Sequence, residues 1–277
     1  MRGFATVHSI AVIGLVAGLS LLATGCNKLN ARDNLNQGVN SFKAGQYANA
    51  ADHFKKAIEL DPEFPVARLY LATAYMQQYV PGSDTAENKR YADSALEQFQ
   101  LVLNNDPKSL IATQSVASLY YNMKDFAKAE EWNKKILQLD SNNKEADYVL
   151  GVIAWTNFVI PDREARVAQS MTLEAPGPLK APKNPKDPNQ QKVDLKTKYW
   201  DSLTQGIEYE KKALQIDPEY ENAMSYMNLL IRYRADLDDT KDQYDADIKE
   251  ANDWVQKSLE TTKKKAERKN KAAEQSN

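Results

Sequence analysis

One cysteine and two histidines are all that 277 residues hold of the side chains most used for thiol chemistry, imidazole catalysis and nitrogen or sulfur ligation of metals. That scarcity excludes a disulfide framework and a metal centre built on these ligands. An excess of one charge sign is lacking as well. The 36 basic and 38 acidic residues leave a formal net charge of -2, without the positive surplus with which a nucleic-acid binder displaces counterions. Nucleic acid is therefore not expected as a partner. Apolar runs long enough for a bilayer are confined to one place near the N-terminus, and a mean hydropathy of -0.64 excludes a bundle of spans. No G-x-S-x-G, H-E-x-x-H, C-x-x-C or phosphate-binding glycine loop occurs, so neither a metal nor a cofactor is expected and an enzyme is not. With 42% hydrophobic residues, the chain can nonetheless fill a core and falls outside the disordered class.

The apolar run has the layout of an export signal. Arg2 precedes Ile10-Ala11-Val12-Ile13-Gly14-Leu15-Val16-Ala17-Gly18-Leu19, and Leu21-Leu22-Ala23-Thr24-Gly25 leads to Cys26, the only cysteine. The core is short for a transmembrane helix, and a small residue stands where a peptidase would cut. Residues 1–25 resemble a bacterial lipoprotein signal ending in a lipobox, with Ala23 where that family more often has Leu. The resemblance implies that Cys26 becomes the first mature residue, acylated on sulfur and amine. It also implies a membrane-anchored lipoprotein, and Asn27 in place of an inner-membrane retention Asp favours the outer membrane, facing the periplasm. Residues 26–30 would then be a short tether.

Beyond the tether a repeat emerges. Gly38, Gly45, Tyr47, Ala50, Phe54, Ala57 and Pro62 mark a helix-turn-helix unit with its tight turn at Lys43-Ala44-Gly45-Gln46. The small residue of the first helix recurs as Gly38, Ala72, Ala117, Gly151 and Asn228, at spacings of 34, 45, 34 and 77. That of the second helix recurs as Ala50, Ala95, Ala129 and Gly206, and Asp61-Pro62, Asp106-Pro107, Asp140-Ser141 and Asp217-Pro218 keep step as terminators. Antiparallel helices approach closely only where Gly or Ala faces the partner, which gives the small residues their reason. The pattern resembles the tetratricopeptide repeat. Glu210 and Asn133 depart from it, each standing where that family prefers a large apolar residue. The resemblance implies an all-α, right-handed α-solenoid of about five repeats over residues 31–262.

The irregular spacings locate two insertions, of 11 residues between Ala72 and Ala95 and 43 between Gly151 and Gly206. Asp84-Thr85-Ala86-Glu87 reads as a capping box opening a second helix that runs to about Asn104, which would absorb most of the shorter insertion. The longer one, about 161–193, holds six of the eleven prolines and lysines between them, and is expected as an extended, solvated loop in the fourth repeat. Asp239 is expected to cap a long last helix with Tyr244, Ile248, Ala251, Val255 and Leu259 on one face. Residues 263–277 read as a basic polar tail.

In the resembling family the first helices line a concave groove. Its places fall here on Gln114, Ser118, Tyr121, Asn122, Tyr148, Trp155, Arg232 and Tyr233. Aromatics and amides suit a protein or extended peptide, since rings bring contact area at small entropic cost and amides satisfy backbone groups. The family's carboxylate-gripping subset is not reproduced, because the corresponding places hold Leu35, Val39, Thr73, Gln114 and Ser118. The function expected from sequence is a lipid-anchored scaffold for protein-protein interaction in an envelope complex. An assembly factor for outer-membrane barrel or pilus components would share its anchor and fold. An envelope enzyme would need a carboxylate- or Ser-based site, and nothing is spaced for one.

Overall fold

The structure, a computed structural model, describes residues 26–172, 177–184, 186–187 and 189–275. The signal at 1–25 lies outside the described residues, as do Pro176, Pro185 and Pro188 of the insertion and the last two residues of the expected tail. Ten helices and no strand occur among the described residues. They are α1 (26–43), α2 (Tyr47–Leu60), α3 (Pro65–Gln78), α4 (Ala86–Asn105), α5 (Leu110–Asn122), α6 (Phe126–Leu139), α7 (Lys144–Ala168), α8 (Gln190–Ile216), α9 (Glu221–Ala235) and α10 (Lys241–Gln275). The fold is all-α and packs as consecutive helix pairs. The chain divides into two compact units, one ending at Asp125 and the other beginning at Phe126.

In the first unit the small residues do what their spacing requires. A Cβ built on Gly38 would fall on the Phe54 ring, so α1 and α2 touch only because that side chain is absent. Phe54 is fully buried, stacks on Tyr70 of α3 at 5.3 Å, and shares a core with Leu71 and Ala74. Ala72, Ala95 and Phe99 repeat the device between α3 and α4, all of them fully buried. The 11-residue insertion is divided between two forms. Helix α4 is 20 residues long against 14 for α2, and the remainder forms a turn at 79–85. The buried Asn88 brackets that turn. Its Oδ1 accepts from Val80 N at 2.7 Å, and its Nδ2 donates to the carbonyls of Val80 and Ser83 at 2.9 and 2.8 Å. Thr85 is the N-cap, accepting from Asn88 N at 3.1 Å, one residue later than the capping box was read.

The second unit contains the stretched repeat. Helix α7 packs against α6, α8 and α9, α8 against α9, and α9 against α10. The expected solvated loop is corrected here. Helix α7 runs on through Pro161 to Ala168 and α8 begins at Gln190, so both ends of the 161–193 insertion are helical. Between them, the described residues around Leu179 and Lys180 form a strap bound down on the unit. Leu179 is buried in the same core as Phe158, Leu203 and Leu237, and its N–H donates to the Asp236 carbonyl at 2.9 Å. The Gln169 amide accepts from Lys180 N at 2.7 Å and donates to Lys180 O at 3.3 Å, while Lys180 Nζ returns to Gln169 O at 2.8 Å. One leucine among prolines and lysines decides this, since burying it stabilises by about 1.5–3 kcal/mol.

Three further expectations change. Residues 26–30 are the first turn and a half of α1 rather than an extended tether. The basic stretch 263–275 continues α10, where Lys265 Nζ donates to Glu219 O at 2.6 Å and to Glu221 at 3.1 Å, and Arg268 pairs with Glu219. Thr240, not Asp239, caps α10, its hydroxyl accepting from Gln243 N at 3.2 Å. On the inner face Tyr244, Ala251 and Thr261 are buried, whereas Leu259 is 59% exposed.

Helices α1, α5 and α7 end alike. In each, a left-handed residue (Gly45 at φ 73°, Lys124 at 60°, Ser170 at 52°) closes the helix by pairing two N–H groups with carbonyls three and five residues back. Lys124 sits at this bend without glycine's freedom, at a steric cost of about 1–2 kcal/mol. Lys124→Gly is expected to stabilise the fold by roughly 0.5–1 kcal/mol after the unfolded state's gain in freedom is discounted. Urea unfolding of the two chains measures it.

Candidate functional site

Rings on α7 and α9 meet along their length. Tyr148 and Trp155 lie seven residues apart on α7, and Tyr226 and Tyr233 seven apart on α9, so each pair lines one face of its helix. Tyr148 contacts Tyr220 and Tyr226, both at 5.4 Å, and Trp155 contacts Tyr226 at 5.7 Å and Tyr233 at 5.9 Å, the last three edge-to-face. Phe158 continues the series, touching Tyr233 at 6.3 Å and Tyr199 of α8 at 5.4 Å. Of the residues read from sequence, Tyr148, Trp155 and Tyr233 are thus brought together, each half-buried. Tyr226 was missed although it repeats the seven-residue spacing that Tyr148 and Trp155 display. Arg232 points elsewhere, bonding Asn228 within α9 at 3.2 Å and Asn252 of α10 at 2.7 Å.

Edge-to-face contacts stiffen such a surface at about 0.5–1.5 kcal/mol each. Burial pushes the Tyr233 and Tyr220 hydroxyls up, so both remain neutral donors at physiological pH. Beside Tyr220, the Lys144 ammonium lies 4.9 Å over the ring and pairs with Asp217 at 2.6 Å. The Trp155 indole N–H is buried with no hydrogen-bond partner among the described residues. Such a donor costs roughly 1–3 kcal/mol.

The remaining residues read from sequence lie on α5 of the first unit. Gln114, Ser118, Tyr121 and Asn122 occupy one face of that helix, with Ser118 exposed and the others half-buried. Burial pushes the Tyr121 hydroxyl up. Asn122 and Met123 line a cleft of about 570 Å³ with Tyr79, Asp84, Lys89 and Asp93.

Beneath the aromatic face the second unit buries charge. Asp147 and Glu210 are 1% and 0% exposed, and none of their carboxyl oxygens has a hydrogen-bond partner among the described residues. Glu210 fills the place that Phe54 fills in the first repeat, since a Cβ on Gly151 would lie 2.8 Å from its Cγ and Cδ. Burial, and then the Asp147 charge, push Glu210 up to about 10, and burial pushes Asp147 up to about 6 against a smaller pull from Lys212. Asn133, the other departure from the pattern, is also buried, but turns its amide back to Ala129 O at 2.7 Å. Closer to the strap, Arg166 joins Asp236 and lies 3.4 Å from Asp162, all three buried. Burial, then the Asp162 charge, push Asp236 up to about 8 in spite of Arg166. Lys192, also buried, donates to the Asp238 carbonyl. These groups hold helices and strap together, and Lys192 also lines a cleft of about 520 Å³ with Pro182, Lys196, Trp200 and Asp239. Among the described residues, no cluster of three or more His, Cys, Asp and Glu could hold a metal, and no helix is long and apolar enough to cross a membrane.

Residues 41–78 and residues 114–143 each match the sequence profile of the tetratricopeptide repeat, so these two stretches are tetratricopeptide repeats. Among solved structures it is similar to a crystal structure of MamA protein, at 16% identity and a TM-score of 0.55 over 86% of this chain and 94% of that one. MamA from Desulfovibrio magneticus RS-1, from its residue 41 onward, gives 15% identity and a TM-score of 0.54 over 85% and 96%. At such identities the likeness is one of fold. A search of curated protein sequences finds no match.

The buried carboxyls make stability depend on pH with a definite sign. Between the ordinary Glu value of 4.5 and about 10, the folded chain holds a proton at Glu210 that the unfolded chain has released, so stability falls as pH rises through that window. Thermal midpoints at about pH 5 and about pH 8 are expected to show this fall in the wild type. Glu210→Gln, which has no proton to lose, should show a smaller one, the residue being due to Asp147, Asp236 and Asp238.

Proposed function

We propose that this chain is an exported, lipid-anchored scaffold that holds an extended segment of a partner protein against the aromatic face of α7 and α9. The observation that carries the reading is the rigid file of Tyr148, Tyr226, Trp155 and Tyr233, half-exposed, with an unmet indole donor in its midst. Such a surface grips a chain through ring contacts.

Anchoring rests on the lipobox-like sequence before Cys26. The cysteine itself is exposed at the very start of α1. A helical start leaves little slack, because five residues of helix span about 7.5 Å where an extended tether would reach about 17 Å. The first repeat would accordingly sit against the lipid headgroups, and an envelope complex is the setting in which a scaffold so held would act.

Two outcomes test the reading. Radiolabelled fatty acid is expected to enter the wild-type chain in a bacterial host and not Cys26→Ser; equal labelling of both removes the anchor. A partner crosslinked to the wild type in intact envelopes is expected to be lost from Tyr226→Ala, a central ring of the file, by about 2 kcal/mol or roughly 30-fold in affinity. Leu259→Ala, on the exposed side of α10, should leave capture unchanged. Equal capture by all three chains would place the partner on another surface.

A further inference from the structure

The strap is held as a peptide ligand is held. Leu179, 1% exposed, is buried in the core that includes Phe158, Leu203 and Leu237, while the next residue, Lys180, is exposed. The backbone between them is gripped directly. Leu179 N–H donates to the Asp236 carbonyl, and the buried Gln169 amide both accepts from Lys180 N and donates to Lys180 O. Backbone bonds of this kind hold an extended segment whatever its sequence, and a pocket for one side chain then sets its register. Among the described residues, the strap's hydrogen bonds to the rest of the unit are confined to Leu179 and Lys180, since Lys183 N–H turns to Asp187 of the same stretch at 3.0 Å. A hold so local opens without unfolding the helices beneath it.

Two residues on, the fit is incomplete. An extended chain returns its side chains to the same side at every second residue, so Ala181 follows Leu179. Ala181 and Pro182 form one wall of the cleft of about 520 Å³, and Val193, Lys196 and Trp200 of α8 form the other. Val193 stays 43% exposed, and the Trp200 ring carries the Lys196 ammonium at 4.7 Å. The single methyl of Ala181 leaves most of this space open, where a larger apolar side chain would reach Val193 and Trp200.

We propose that the end of α7, the start of α8 and the α9–α10 turn form a binding track for an extended peptide of a partner protein, and that the strap occupies this track in cis. Its ligand carries leucine at one position and a large apolar residue two further on. The strap supplies the first and lacks the second, so a partner segment with both displaces it. Neither the aromatic face of α7 and α9 nor the lipid anchor enters the test of this track.

Three peptides added to the purified full chain provide that test. One has the strap's own sequence, Gly-Pro-Leu-Lys-Ala-Pro-Lys; the second has Leu in place of its Ala; the third has, in addition, Ser in place of the first Leu. In Leu179→Ser, whose strap no longer fills the leucine pocket, titration calorimetry is expected to show the first peptide binding and the second binding about tenfold more tightly through its added apolar contact. The third should not bind. In the wild type the tethered strap competes at an effective concentration of roughly millimolar order and should weaken both active peptides by about tenfold or more. Far-UV circular dichroism checks folding, and Leu179→Ala, the gentler change, takes the same titrations if Leu179→Ser is unfolded. A folded variant that binds none of the peptides, binding indifferent to the Leu-to-Ser change, no gain from the larger side chain, or equal binding to wild type and variant overturns the proposal.

Discussion

Close approach of helices at small residues is the constraint from which the rest of the structure follows. Gly38 admits Phe54, Gly151 admits Glu210, and Gly206 lets α8 lie against Ala154 of α7 and Leu230 of α9 at once, where a Cβ would come within 2.9 and 3.0 Å of their side chains. Glycine inside a helix costs about 1 kcal/mol relative to alanine. That cost is borne at three helix interiors because the contact it permits sets the spacing of every neighbouring side chain. Alanine serves where the gap is wider, as at Ala50, Ala95 and Ala129, all fully buried.

The aromatic face is a consequence of that spacing. With α8 seated between them at Gly206, α7 and α9 come near enough for Trp155 to meet Tyr226 and Tyr233 edge-on. The far end of the same helices is closed by charge rather than by rings. Arg166 with Asp162 and Asp236, Lys192 with the Asp238 carbonyl, and Leu179 of the strap fix the α9–α10 turn to the end of α7. Buried ion pairs of this kind add little net stability over apolar packing, yet breaking one partner is costly, so they favour a single arrangement. The second unit is thus rigid at both ends of the face proposed to bind.

Repeats and their terminators were legible in the sequence because they are local and periodic. The Asp of three of the four terminators shows why: Asp106, Asp140 and Asp217 accept from the N–H two residues on at 3.1, 3.1 and 3.0 Å, a contact that needs no distant partner. What stayed hidden depended on residues far apart in the chain. Leu179 looks like one apolar residue in a polar loop until Asp236 and Leu237 are folded beside it. Lys265 and Arg268 read as tail charges until the α8–α9 turn supplies Glu219 and Glu221. Of the residues read from sequence as a candidate site, Tyr148, Trp155 and Tyr233 share one surface. Arg232 turns toward α10, because one residue's shift on α9 rotates a side chain by about 100°.

The most direct test of this account is the unfolding free energy of Gly206→Ala. Helix propensity alone predicts stabilisation by about 1 kcal/mol, since alanine is the better helix former. If the close approach governs, the added methyl meets the Ala154 Cβ, which has no rotamer to yield, and the unit must spread at a cost of about 1–3 kcal/mol. A destabilised variant, with the near-UV signal of the aromatic face altered, is the predicted result. A variant more stable than the wild type, with that signal unchanged, would contradict it.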